Sequence, residues 1–118
     1  MDTEIKSKDV MGNKYIQIFT TVARKQTAQR IAKALVDKKL AACCQIVGPI
    51  TSIYRWQGKI KKVKEWLLVA KTRSDKFRKA EKAVKEIHPY KLPEIIAAPI
   101  TQGSKKYFEW ISKTITAD

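Results

Sequence analysis

An α+β fold is what this sequence of 118 residues predicts. The hydrophobic period switches along the chain between two residues and nearly four, in the order strand, helix, strand, strand, helix, strand. The two middle strands are separated only by Gln57 and Gly58, a hairpin spacing. A further helical pattern closes the sequence. Residues 14–118 read as one domain, long enough for a single core, behind a polar tail at residues 1–13.

The first strand is "KYIQIFTT" (14–21), where Tyr15, Gln17 and Phe19 alternate with Ile16, Ile18 and Thr20. In "TAQRIAKALVDKKL" (27–40) the period lengthens. Ala28, Ile31, Ala32 and Leu35 share a helical face, and Lys38 and Lys39 suit the last turn, where cations meet the negative end of the helix dipole. "AACCQIV" (41–47) is a short apolar run expected as a central strand. Gly48 and Pro49 interrupt it before "ITSIYRW" (50–56), which predicts a bulge or bend in one long strand.

The return strand, "KIKKVKEWLLVAKT" (59–72), is polar first and apolar later, with Trp66, Leu68 and Ala70 facing one way. Ser74 is the expected N-cap of the second helix and Asp75 suits its first turn. Phe77, Ala80, Val84 and Ile87 form that helix's buried face, with lysines outside. Pro89 ends it and turns His88 from helical angles. "EIIAAPI" (94–100) is the fourth strand, in which Pro99 requires an edge or a bulge. In "SKKYFEWISKTI" (104–115), Tyr107, Trp110, Ile111 and Ile115 recur at helical spacing.

This order is the split βαβ, ferredoxin-like arrangement (βαββαβ) with a C-terminal helix added, two helices covering one face of an antiparallel four-stranded sheet. The long, bent central hairpin exceeds what so small a sheet pairs internally. Its open edges predict an oligomer.

The 25 basic residues outnumber the 11 acidic ones, for a net charge of +14. Such an excess attracts polyanions generally. No RNA-reading motif accompanies the run "KIKKVK", so a solvated lysine face is expected there and no specific nucleic-acid partner. No apolar run approaches the roughly 18 residues needed to span a bilayer, which predicts no membrane partner. The opening residues carry charges where an export signal would have an apolar stretch, so a cytosolic, cytoplasmic protein is expected. Cys43 and Cys44 are adjacent, with Cα atoms about 3.8 Å apart, closer than a disulfide prefers. Two buried free thiols are expected, as a reducing compartment would keep them.

From Thr20 onward the chain resembles the CutA family of divalent-cation tolerance proteins. The resemblance rests on "TAQRIAKALVDKKLAACCQI", "ITSIYRWQGKI", "EWLLVAKT", "HPYKLPEII" and "YFEWI", in the family's order and spacing. It implies a ferredoxin-like subunit in a homotrimer whose long hairpins pair between subunits. It also implies copper or other divalent-cation binding linked to metal tolerance, without catalysis. The family's trimer in turn resembles the PII signalling proteins, which makes a small anion or nucleotide in an inter-subunit cleft the alternative. A purely structural scaffolding trimer is a third.

His88, the only histidine, matches the histidine of the family's "HPY" motif. It is the best metal-ligand candidate, with Glu94 a second; the alternative is that His88 closes the helix. Some bacterial relatives have a second histidine where this chain has Ile87, and a cysteine where it has Phe19. Glu65 is a possible third contributor, although the surrounding lysines make an ion pair its simpler role. Tyr54 and Trp56 stand in the family's hairpin motif and belong either to subunit packing or to a cleft, where Lys71 and Tyr90 would supply polar contacts. No phosphate-cradling glycine loop is present among the four glycines.

Overall fold

The computed structural model describes residues 14–116. The expected tail at 1–13 lies outside the described residues. The elements run β1 (Tyr15–Val22), α1 (Lys25–Asp37), β2 (Cys43–Trp56), β3 (Lys59–Arg73), a 3-10 turn (Ser74–Lys76), α2 (Phe77–Ile87), β4 (Ile96–Pro99) and α3 (Lys105–Thr116). The strands lie in the order β2-β3-β1-β4, every pair antiparallel. This is the expected split βαβ sheet.

Alternation decides the two faces. Ile16, Ile18, Thr20 and Val22 lie opposite Thr72, Ala70, Leu68 and Trp66 on β3, and these pairs point to one face of the sheet. There α1 inserts Ala28, Ile31 and Leu35, and α2 inserts Ala80, Ala83 and Val84. Each large aliphatic side chain so buried contributes about 1.5–3 kcal/mol. The opposite face is covered at one end by α3, whose Ile111 and Ile115 pack with Ala42, Tyr15 and Phe108. The Tyr15 and Phe108 rings stack at 4.3 Å, and the Tyr15 hydroxyl reaches Ser112 Oγ at 2.7 Å.

Several expectations are corrected. The run 41–47 leads into an edge strand, because β2 pairs only with β3; the cover that α1 gives Cys44 and Ile46 made it read as central. The first helix stops at Asp37, so Lys38 and Lys39 lie beyond its last turn, and Lys39 takes a left-handed φ of 58°. Ser74 caps no helix: its amide donates to the Lys14 carbonyl, while Asp75 receives a two-pronged hydrogen bond from Arg73. The fourth strand begins only at Ile96, because Ile95 is drawn down onto the core. The expectation for Pro99 holds: it sits on an edge strand, as its missing N–H requires. On α3 only Ile111 and Ile115 are buried; Tyr107 and Trp110 stack on each other and stay exposed. The two thiols are free but half-buried. No helix among the described residues is long and apolar enough to cross a membrane.

The interruption at Gly48 and Pro49 is a register shift between Val47 and Ile50 inside one continuous strand. A side chain at Gly48 would meet the Trp66 ring at 2.6 Å, so the glycine allows the indole to lie against the bent backbone. At the hairpin tip Gln57 and Gly58 both have positive φ, 51° and 78°, as a type I′ turn requires. Beyond the shift, the hairpin leaves Ile53 and Ile60 each 66% exposed.

Gly48→Ala should destabilise the protein by about 1–3 kcal/mol through overpacking against Trp66. Gly58→Ala meets nothing within 4 Å and loses only the left-handed backbone preference, about 1–2 kcal/mol. Urea unfolding at fixed protein concentration checks both. Near-ultraviolet circular dichroism should register a changed tryptophan environment for Gly48→Ala alone.

Candidate cleft at the base of the hairpin

At the end of α2, Pro89 forces the chain out of the helix, and His88 becomes its C-cap, with extended angles and an amide that still donates to the Val84 carbonyl at 2.8 Å. Its side chain is 7% exposed. Nε2 lies 2.8 Å from the Thr21 carbonyl oxygen, and Nδ1 accepts the Tyr90 amide at 3.2 Å. A carbonyl only accepts and an amide only donates, which fixes a neutral imidazole with its proton on Nε2. The ring thus fastens the segment after α2 to the end of β1. Both nitrogens are engaged within the subunit.

That hold is passed on. Tyr90 packs edge-on against the imidazole, ring centroids 4.7 Å apart, and its hydroxyl donates to Glu65 Oε2 at 2.7 Å. Burial, and then the neighbouring carboxylate, push the Tyr90 phenol well above its ordinary value, so it remains a donor. Glu65 is 5% exposed. No lysine pairs with it among the described salt bridges, although lysines flank it in sequence. Its observed partner is the tyrosine, because Tyr90 crosses the face onto which Glu65 projects.

Glu65, Tyr90, Tyr54, Trp56 and Glu94 line one cleft of about 820 Å³, completed by Thr21 and Ser52 among others. The sequence candidates are therefore brought together, with two exceptions. His88 lies behind the wall and acts through Tyr90. Lys71 is six positions from Glu65 along β3, about 20 Å away by strand geometry, paired with Gln17 and Cys43. The cations that border the cleft are Lys64 and Lys91 instead. Sequence reasoning missed Thr21, whose contribution to the His88 anchor is a backbone oxygen. Ser52 was legible, since it alternates with Tyr54 and Trp56.

No three histidine, cysteine, aspartate and glutamate side chains converge as a metal ligand set among the described residues. The Cys44 thiol is pushed up to about 12 by burial and by neighbouring Cys43, so it stays protonated and packs as a small apolar group. What one subunit offers is a buried carboxylate, an exposed one and three aromatic rings.

Residues 16–114 match the model of the CutA1 divalent ion tolerance protein family. A divalent-cation tolerance protein CutA from Thermus thermophilus is 47% identical over 94 residues, covering 80% of this chain and 91% of that protein. The solved CutA1 structure from Oryza sativa superposes with a TM-score of 0.85 at 38% identity, covering 89% of this chain and 96% of that one. A structure from Archaeoglobus fulgidus, described as a periplasmic divalent cation tolerance protein CutA, gives 0.83 at 42% identity over 86% and 98%.

Burial holds the His88 pKa below its ordinary 6.5, outweighing the upward pull of the Thr21 carbonyl and of Glu65. The folded state therefore resists a proton that the unfolded chain accepts. The His88 contribution is complete above pH 6.5 and is lost as pH falls below it toward the depressed value. The urea midpoint should drop on going from pH 7 to pH 5, and less so in His88→Gln, whose amide can both donate and accept without titrating. Tyr90→Phe strands the Glu65 carboxylate without its donor and should cost about 1–3 kcal/mol, measured by the same unfolding experiment.

Proposed function

The chain belongs to the CutA1 divalent ion tolerance family, and from that premise we propose that it is a non-catalytic, homotrimeric protein that binds divalent metal ions, copper among them, in metal tolerance. The observation behind this reading is the Glu65 carboxylate: nearly buried, held in place by Tyr90, and facing a cleft with no cation paired to it among the described residues. Buried carboxylates are ordinarily paired or coordinate metals. Glu65 and Glu94 are the proposed ligands. His88 positions Tyr90 and through it Glu65; direct ligation by His88 requires its ring to release the Thr21 or Tyr90 hydrogen bond.

One subunit supplies too few donors for a stable site, so a second copy completes it. Among the described residues the outer edge of β2 has no partner strand, and the hairpin exposes Ile53 and Ile60, which supports pairing of hairpins between copies. The adjacent free thiols suit a reducing cytosol. Lys64 and Lys91 at the cleft border support a second reading, a PII-like trimer holding a small anion or nucleotide.

Equilibrium dialysis of metal-free protein against buffered copper and zinc tests the first reading. Stoichiometric retention per subunit is expected. Glu94→Gln and His88→Ala should each weaken it by about tenfold or more, the first as a ligand and the second as a support whose two hydrogen bonds are lost. Sedimentation should give three times the subunit mass of 13.5 kDa. No retention of either metal, with ATP raising the melting temperature, would replace metal binding by the anion reading.

A further inference from the structure

We propose that the outer surface of α1 and α2 docks duplex DNA, held through its phosphate backbone without regard to base sequence. This goes beyond the metal reading and does not rest on it. Residues 24–38 and 77–87 contain nine basic and three acidic side chains. All three acids are already paired: Asp37 with Lys33 at 2.8 Å, Glu81 with Lys85 at 3.3 Å and Glu86 with Lys38 at 3.8 Å. Arg24, Lys25, Arg30, Arg78, Lys79 and Lys82 are exposed and have no salt bridge among the described residues.

The paired and unpaired charges are segregated. The ion pair from Lys38 to Glu86 joins the C-terminal ends of the two helices. Arg24 precedes α1, and the other five unpaired cations lie in the first six residues of a helix. α1 begins just past the Val22–Trp66 pair and α2 just past the Tyr15–Arg73 pair. Those pairs close the two ends of an eight-residue ladder, roughly 23 Å apart at about 3.3 Å per residue. Two cationic clusters thus flank a neutral, ion-paired zone. Neither helix has an acidic residue in its first turn, so the positive end of each dipole adds to its cluster.

This spacing selects the partner. A small anion reaches one cluster, whereas a stiff row of phosphates reaches both. B-DNA presents one charge per ~1.7 Å of axis, so a stretch spanning the clusters offers about a dozen. Single strands are held largely by stacking on aromatic rings. The exposed rings among the described residues, Tyr54, Trp56, Tyr107 and Trp110, all lie outside α1 and α2. A bilayer takes up amphipathic helices by their apolar faces, and here those faces are buried in the core.

Association between copies has little to gain from this surface. Of the exposed large hydrophobic side chains among the described residues, only Val36 belongs to it; the others lie on β2, β3, β4, α3 and the segment after α2. Burying unneutralised cations against a second chain of net charge +14 is unfavourable. The two helices therefore stay open to solvent when hairpins pair.

Fluorescence anisotropy of a labelled duplex, titrated with the full chain at several salt concentrations, tests the inference. Saturable binding is expected, equal for two unrelated sequences and falling steeply as salt rises. The triple variant Arg30→Gln, Arg78→Gln, Lys82→Gln should weaken it by about tenfold or more and lower the log–log salt slope by about 2–3. Lys105→Gln, Lys106→Gln, Lys113→Gln removes the same charge from α3 and should change affinity by less than about twofold. All six side chains are exposed and outside the described salt bridges, so both variants keep the fold, and unchanged urea midpoints check this. Equal weakening by the two variants would overturn the inference in favour of net charge alone. Tighter binding of a single strand of the same length or of phosphatidylglycerol vesicles, or no duplex binding, would also overturn it. Neither variant alters a residue of the cleft, so copper retention and DNA binding stand or fall separately.

Discussion

The imidazole of His88, donating to the Thr21 carbonyl and accepting the Tyr90 amide, is the constraint on which the cleft depends. Without it the segment between α2 and β4 would be tied to the sheet, among the described residues, through the Tyr90 hydroxyl and the packing of Ile95 on the core. With it, a short relay joins the end of β1 to the carboxylate on β3. Each member has one role that its chemistry permits: a carbonyl that only accepts, a neutral ring that does both, a phenol held protonated, and a carboxylate. Burial keeps the ring neutral, and neutrality lets it serve both neighbours.

The hairpin imposes a second constraint, of opposite character. In its first half, β2 and β3 are backed by α1 and the core; beyond the shift at Gly48 and Pro49 they continue as a two-stranded ribbon with little backing. Isolated ribbons are marginal in water, and this one exposes Ile53, Ile60, Tyr54 and Trp56 together. The same extension carries two aromatic rings out to the cleft that Tyr90 and Glu65 close from below. The proposed association along the β2 edge and the proposed recognition at the cleft thus draw on neighbouring parts of one element. A change that disturbs the ribbon disturbs both.

The family premise and the site geometry bear on different questions. Membership in the divalent ion tolerance family places the chain among proteins of metal tolerance. The donor set of one subunit is rich in aromatic carbon and poor in ligand atoms, and its histidine is committed to architecture. The proposed metal binding at this cleft consequently requires donors from a second copy.

The sequence by itself determined the fold. Strand and helix periods, the Gln57–Gly58 turn, the Gly48–Pro49 interruption and the helix-ending Pro89 are local signals, set by backbone sterics and by which face meets water. The resemblance to the divalent-cation tolerance family, rather than those signals, gathered Tyr54, Trp56, Glu65, Tyr90 and Glu94 as candidates. Tertiary structure alone decided what each one touches. Lys71 and Glu65 are close in sequence yet far apart along an extended strand, and Glu65 meets a tyrosine from another element rather than its flanking lysines. His88 is anchored by a backbone oxygen that no side-chain pattern announces. The run 41–47 looked central because a helix covers it, while strand order follows from long-range pairing. Contacts between residues distant in sequence depend on register and packing, and local periodicity contains neither.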